Sequence, residues 1–273
     1  PSVFPYWLKA LVFSPFTKEL RQACSRAAAI CGITPGFVDW GLQYAGRAPT
    51  ARDRHFWLGY TGVIPNDTLT RKGFEFWAQH GIHKENKDFI ACYLGTMSDK
   101  LEMETVIEAA QLLQSQSHPC RFILCGSGEN LVRYRRLAES CRNILFPGRV
   151  GAGEVWSLLQ LSCVGLAPYR SRKDFMMSIP TKAIEYLSVG LPVISSLKGS
   201  LQALLTQESC GITYPNENKK ALVDTLLSLY NNPTQRQMLS NHARKLFDKE
   251  FAAEKVFGEM ANYLESLFSE RTS

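Results

Sequence analysis

The sequence has no C-x-x-C pair among its eight cysteines (Cys24, Cys31, Cys92, Cys120, Cys125, Cys141, Cys163 and Cys210), which excludes a zinc ribbon and a dithiol redox motif. Several of them lie inside apolar runs such as Ile123-Leu124-Cys125, the pattern of buried free thiols in a reducing compartment. No uninterrupted apolar run approaches the roughly 18 to 20 residues that span a bilayer, and no signal-peptide pattern opens the chain, so a cytoplasmic location is expected. There is no H-E-x-x-H, no D-x-D pair and no cluster of Cys and His, which argues against a catalytic metal site, and no cofactor is expected. A G-x-S-x-G elbow and a G-x-x-x-x-G-K-[ST] loop are missing too, which argues against α/β-hydrolase and P-loop chemistry. Neither sign of charge is concentrated: 31 Lys and Arg against 25 Asp and Glu give a formal net charge of +6, and the basic residues are dispersed. Without a nucleic-acid motif beside them, nucleic acid is not the expected partner, and the balance favours anionic ligands or anionic surfaces.

What is present is an ordinary globular composition, 45% hydrophobic and 21% charged over 273 residues. From Asp88 onward short apolar runs alternate with longer amphipathic ones, as in βαβ units. Phe89 to Leu94 reads as a strand, and Met103, Val106, Ile107, Ala110 and Leu113 then recur at helical spacing. Further strands are expected at 121–125, 143–146, 163–167, 192–195 and 211–213, with helices at 129–140, 152–161, 180–189 and 199–207 between them. The expected architecture is α/β, a doubly wound parallel, Rossmann-like sheet. After Tyr214 the pattern is all helical, over 217–231, 233–250 and 253–268, and the last helix carries Val256, Phe257, Met260, Tyr263, Leu264 and Leu267 on one stripe. The first 85 residues differ: Ala27 to Ile33 reads as one strand, Thr34 caps a helix from Pro35 to about Tyr44, and Ala48 to Asp53 is a loop. The apolar opening, Val3 to Phe13, suits a membrane interface or packing against missing parts of a domain equally.

Four expected strand ends carry groups suited to an anion. Gly95-Thr96-Met97-Ser98-Asp99-Lys100 follows the first strand, where backbone amides and a helix start favour phosphate and Lys100 offers a point charge. Gly126-Ser127-Gly128 follows the second and Gly148-Arg149-Val150 the third. The fourth opens into Ala167 to Ser178, dense in cations. Each has a plain alternative: glycines that only make turns, and Lys100 and Arg149 as solvated surface cations. Pro180 starts the next helix with Ser178 as its cap; Ser178, Lys182 and Glu185 share one face, Ala183, Ile184 and Leu187 another, and Gly190 ends it before the strand Leu191-Pro192-Val193-Ile194. Trp40, Trp77 and Trp156 are expected to pack, and the five histidines to be solvated.

These motifs in this order, Gly95-Thr96 through Lys100, Gly126-Ser127-Gly128, Gly148-Arg149-Val150, Ala167-Pro168-Tyr169 and Ile184 to Val193, resemble the C-terminal, nucleotide-sugar-binding domain of GT-B fold glycosyltransferases, in particular the retaining group called family 4. Ile30 to Gly46, with Tyr60, is similar to the end of that family's N-terminal domain and the crossing into the second. The resemblance implies a remnant of the acceptor-side domain and linker over 1–85, the donor-binding domain over 86–250, and a C-terminal helix over 251–273 that packs back across the domains. It also implies a chain that is a fragment or shortened product carrying mainly the donor-binding portion. The implied reaction is metal-independent, retaining transfer of a sugar from a UDP- or GDP-linked donor to a saccharide, lipid-linked or small-molecule acceptor in glycan or glycolipid synthesis. The basic balance and the apolar opening lean towards a membrane-linked acceptor and peripheral contact at the inner face of the membrane. Glu185 matches the second acid of the family's E-x7-E motif, which accepts hydrogen bonds from the donor ribose. Lys100 and Arg149 would act on the diphosphate, Gly95, Thr96 and Gly126 would lie against it, and Gly148, Arg149 and Val150 would surround the base. Met177 stands where the first acid is expected, so Met177, Ser178 and Ile179 would meet the donor without that carboxylate, with Asp174 a substitute at another spacing. Thr96 stands where many relatives carry arginine. A non-catalytic nucleotide-sugar-binding subunit and a nucleotide-sugar epimerase remain as alternatives.

Overall fold

The computed structural model describes residues 6–62, 64–86 and 88–272. In chain order the elements are α1 (Tyr6–Arg26), β1 (Cys31–Gly32), α2 (Pro35–Ala45), β2 (Arg54–His55), α3 (Asp67–Gln79), β3 (Phe89–Leu94), α4 (Met103–Ser115), β4 (Cys120–Cys125), α5 (Leu131–Leu137), β5 (Ile144–Gly148), α6 (Ala152–Leu161), β6 (Val164–Ala167), α7 (Lys173–Met176), α8 (Thr181–Ser188), β7 (Val193–Ser195), α9 (Ser200–Gln207), β8 (Gly211–Thr213), α10 (Lys219–Asn231), α11 (Pro233–Leu246) and α12 (Ala253–Thr272). A π-helical turn, Phe247–Phe251, sits between the last two helices.

The chain forms two compact units, Gly59–Lys255 and a smaller one of Pro1–Leu58 with Val256–Ser273. The larger holds a six-stranded, wholly parallel sheet in the order β5-β4-β3-β6-β7-β8. Chain order runs outward from β3 to β5, then returns to place β6 on the other side of β3. That reversal is the switch point of a doubly wound sheet, as expected. β3 is buried along its whole length, which is why its sequence is a continuous apolar run rather than an alternating one. The α4 stripe of Met103, Val106, Ile107, Ala110 and Leu113 is buried against the sheet. Helix α3 packs closely on α6: a Cβ at Gly73 or at Gly153 would overlap the facing backbone, and Trp77 Nε1 donates to the Glu154 carbonyl at 2.8 Å. This packing places residues 59–85 in the larger unit.

In the smaller unit Thr34 caps α2, its hydroxyl accepting from the Phe37 amide at 3.4 Å, and Gly46 closes it in the left-handed conformation. The expected strand from Ala27 to Ile33 shrinks to Cys31–Gly32, because β2 offers only two residues to pair with and the Ile30 amide turns to Asp53 Oδ1 at 2.8 Å. The apolar opening continues as α1 from Tyr6; residues 1–5 lie outside the described residues. Neither α1 nor α3 was expected. No helix among the described residues is long and apolar enough to cross a membrane.

Trp77 is fully buried, but Trp40 is 49% exposed and stacks on Tyr44, so it is not the packing residue expected. The α12 stripe also divides: Val256 and Tyr263 are buried while Phe257 and Leu264 face solvent. All eight cysteines are free. Cys92, Cys120, Cys125, Cys141 and Cys210 are buried as anticipated, whereas Cys31 is exposed. Burial pushes the Cys92 thiol up to about 12, which keeps it protonated and inert.

Candidate functional site

At the carboxyl edge of the sheet, beside the β3/β6 switch point, lies a cavity of about 480 Å³. Its walls come from the ends of three adjacent strands, Leu94-Gly95-Thr96, Cys125-Gly126-Ser127 and Arg149-Val150, together with Val155 of α6 and Lys182 and Glu185 of α8. Two glycines make this floor possible. Gly126 has φ of 138°, and a Cβ there would overlap the Gly95 carbonyl; Gly95 has φ of 141°, and a Cβ there would overlap the Lys182 ammonium. The turn is tied by Gly95 N–H to the Cys125 carbonyl (3.0 Å), Met97 N–H to the Ser127 carbonyl (2.9 Å) and Gly126 N–H to the Gly148 carbonyl (2.7 Å).

Helix α8 is held by its apolar face. Ala183, Ile184, Tyr186 and Leu187 are buried. The Tyr186 hydroxyl accepts from the Leu94 amide (3.2 Å) and donates to the Leu166 carbonyl (3.2 Å), bridging β3 and β6 at the switch point. Gly165 leaves room for its ring, since a Cβ there would overlap it. With that face locked, Lys182 and Glu185 turn to the cavity, as their shared face implied. Glu185 Oε1 accepts from the Tyr60 hydroxyl at 3.2 Å. Burial pushes the Glu185 carboxyl up, and the Tyr60 hydrogen bond and the Lys182 charge pull it back. A second cavity of about 220 Å³ adjoins through Val155 and Glu185 and is lined by Tyr60, Trp156, Leu159 and Ser188.

Of the residues anticipated for the site, Gly95, Thr96, Gly126, Arg149, Val150 and Glu185 line the cavity together. Others do not. Gly148 supports from behind through its carbonyl. Lys100 is exposed, with Nζ 5.7 Å from the centre of the Phe175 ring. The cause is local: Leu101 pairs with Tyr169 and is buried, Arg170 N–H donates to the Lys100 carbonyl (3.0 Å) and Glu102 N–H to that of Pro168 (2.9 Å). With Leu101 turned inward, Lys100 is turned out. Ile179 is buried, Met177 is half-buried outside the cavity wall, and the Ser178 hydroxyl donates to the Phe175 carbonyl (3.0 Å) rather than capping α8. Asp174, the substitute acid, is exposed and pairs with Arg172 at 3.4 Å. The cation-dense loop is also less free than it reads, since Arg170 is engaged by Glu104 (3.3 Å) and Glu217 (3.0 Å). Sequence reasoning assigned no role in the site to Lys182, although its spacing from Glu185 was the available signal.

Comparisons with known proteins bear on the family and the fold. The family model described as "Glycosyl transferases group 1" matches residues 75–246. A protein of Escherichia coli (strain K12) named as a colanic acid biosynthesis glycosyltransferase, WcaL, is 26% identical over 176 residues, 63% of this chain and 43% of that relative. The chain thus spans less than half the length of this curated relative. Among solved structures, a sucrose-phosphate synthase from Thermosynechococcus elongatus superposes with a TM-score of 0.70 at 17% identity, over 94% of this chain and 62% of that one. The Anabaena protein HepE in complex with UDP superposes with a TM-score of 0.68 at 16% identity, over 92% of this chain and 68% of that one. Both likenesses bear on the fold, which is that of GT-B glycosyltransferases with this chain covering part of it.

Proposed function

The chain belongs to the glycosyl transferases group 1 family, and from that premise we propose that its cavity binds a nucleoside-diphosphate sugar, UDP- or GDP-linked, for transfer of the sugar to an acceptor hydroxyl in glycan or glycolipid synthesis. The carrying observation is a single cavity at the switch point that combines glycine-bared backbone, two cations and one carboxylate. Glu185 accepts hydrogen bonds from the ribose hydroxyls, a task for an acceptor-only group with more than one lone pair to offer. Gly95, Thr96 and Gly126 let the diphosphate approach the backbone, and Arg149 and Val150 border the base and its phosphates. In the transfer, the bond from the anomeric carbon to the diphosphate oxygen breaks with its electron pair left on that oxygen, and the acceptor oxygen bonds to that carbon and gives up its proton to the departing diphosphate. Cations in the cavity stabilise the departing diphosphate, which supports a metal-independent reaction. Retention of anomeric configuration is part of the same reading. So is a peripheral membrane contact, supported by the exposed Phe13, Phe16 and Leu20 along α1.

The test is binding and turnover with a panel of sugar nucleotides. Glu185→Ala is expected to weaken nucleotide binding at least tenfold, and unchanged affinity removes the ribose assignment. A donor that binds and is neither transferred nor hydrolysed favours the second reading, a nucleotide-sugar-binding subunit without catalysis. That reading draws on Met177 where the first acid is expected and on Asp174 being held by Arg172 instead.

A further inference from the structure

Lys182 lies in the first turn of α8 on the same face as Glu185, and its placement is unusual for a lysine. The side chain is half-buried, its ammonium is 5.5 Å from the centre of the Tyr93 ring, and it rests against Gly95, where no side chain intervenes. Among the described residues no ion pair involves Lys182; Glu185, one turn along, acts on it only at range. Burial lowers its pKa and the Glu185 charge pushes it back up. A half-buried cation with no anion beside it carries a desolvation cost that an anionic ligand would offset. The adjoining donors point to the same ligand. Neither the Thr96 nor the Ser127 backbone N–H is used in a hydrogen bond among the described residues, and both residues line the cavity next to Lys182. Two free amides and one ammonium across a floor bared by Gly95 and Gly126 match the oxygens of a phosphate chain.

We propose that Lys182, rather than Lys100, is the cation that binds the diphosphate of the ligand in this cavity, with the Thr96 and Ser127 amides as its companions. This rests on the donor-site reading above and adds the residue that discriminates a nucleoside diphosphate from a monophosphate. Gly95 then has a second role besides the turn: it keeps the path between the ammonium and the ligand clear.

Isothermal titration of the full chain with UDP, UMP and uridine, and with the guanosine series in parallel, tests the assignment. The unaltered chain should bind the diphosphate more tightly than the monophosphate. Lys182→Met should lose on the order of 10- to 100-fold in diphosphate affinity, collapse the diphosphate-to-monophosphate ratio, and leave nucleoside affinity within about twofold, which also reports a folded site. Lys182→Arg should restore most of the loss, and Lys100→Met should fall well short of it. An unchanged diphosphate-to-monophosphate ratio in Lys182→Met, or an equal loss in Lys100→Met, overturns the role of Lys182. If Glu185→Gln still weakens nucleoside binding in that case, the donor-site reading survives alone. If the unaltered chain binds no nucleotide of either series, the donor-site reading fails and this inference goes with it.

Discussion

Asp53 and Glu185 are both partly buried acids near a cation, and they are arranged in opposite ways. In the smaller unit Asp53 receives donors on both oxygens: the Ile30 amide (2.8 Å) and Arg47 Nη2 (2.6 Å) on Oδ1, and Arg47 Nη1 (2.8 Å), the Thr50 amide (2.7 Å) and the Thr50 hydroxyl (2.9 Å) on Oδ2. In the larger unit Glu185 receives the Tyr60 hydroxyl alone among the described residues, and the nearby Lys182 has no anionic partner. The chain supplies every partner of Asp53, so that acid is scaffold that ties the Ala48–Asp53 loop to α2 and β1. At Glu185 and Lys182 the chain leaves valences open on a cavity wall, and open valences on buried charges are where a ligand is recognised.

Removing the scaffold pair should have the largest effect. Asp53→Ala leaves Arg47 uncompensated and is expected to lower unfolding free energy by about 3 kcal/mol, read from urea denaturation, with nucleotide affinity within about twofold. A loss under about 1 kcal/mol would show that Asp53 behaves as a surface pair. Next is Glu185→Gln, which should cost about tenfold in nucleoside affinity while leaving stability equal or slightly higher, since it removes a desolvated charge. A large loss of stability there would make Glu185 scaffold as well.

The two acids should also respond to pH with opposite sign. The Asp53 carboxyl is held well below the usual carboxylate range, chiefly by Arg47, so its stabilisation is present above the ordinary carboxyl pKa and is lost as pH falls toward the lowered value. The Glu185 carboxyl is raised by burial, so the folded state favours its protonated form and stability declines as pH rises from the ordinary carboxyl value through the raised one. Comparing Asp53→Asn and Glu185→Gln with the unaltered chain across pH 3 to 8 should therefore give difference curves of opposite slope, and slopes of the same sign would refute the contrast. The smallest effect is expected at Tyr60→Phe. It removes one hydrogen bond to Glu185 and should change nucleoside affinity by only a few-fold, checked in the same titrations; a loss matching that of Glu185→Gln would mean that Tyr60 itself contacts the ligand.

Much of the sheet was legible because its inner strands are buried on both faces. β3 is a continuous apolar run and β4 is one broken only at Arg121, closed by Gly95 and Gly126, a pattern that suits a covered parallel strand. Helix α3 was not legible, because what fixes it is Gly73 meeting Gly153 and Trp77 meeting a carbonyl of α6, contacts between segments far apart in sequence. The site divides in the same way. Glu185 and the strand-end glycines were readable from spacing and turn chemistry. Lys100 was the natural lysine to choose, since it follows a glycine turn at the correct sheet edge. It was displaced by the Leu101 and Tyr169 pairing, which no local pattern announces. Periodicity put Lys182 on the Glu185 face but could not say that this face looks onto Gly95.

By itself the sequence determined the parallel α/β sheet, the sheet edge at which the cavity opens and the carboxylate that lines it, because burial periodicity and backbone permissiveness are local properties of the chain. Only the tertiary structure decided which cation enters the cavity, which acids are scaffold, and that α3 belongs with the larger unit. Those depend on which groups meet across long stretches of sequence, where one buried leucine turning inward sends its neighbouring lysine out, and a locked apolar face aims another lysine in.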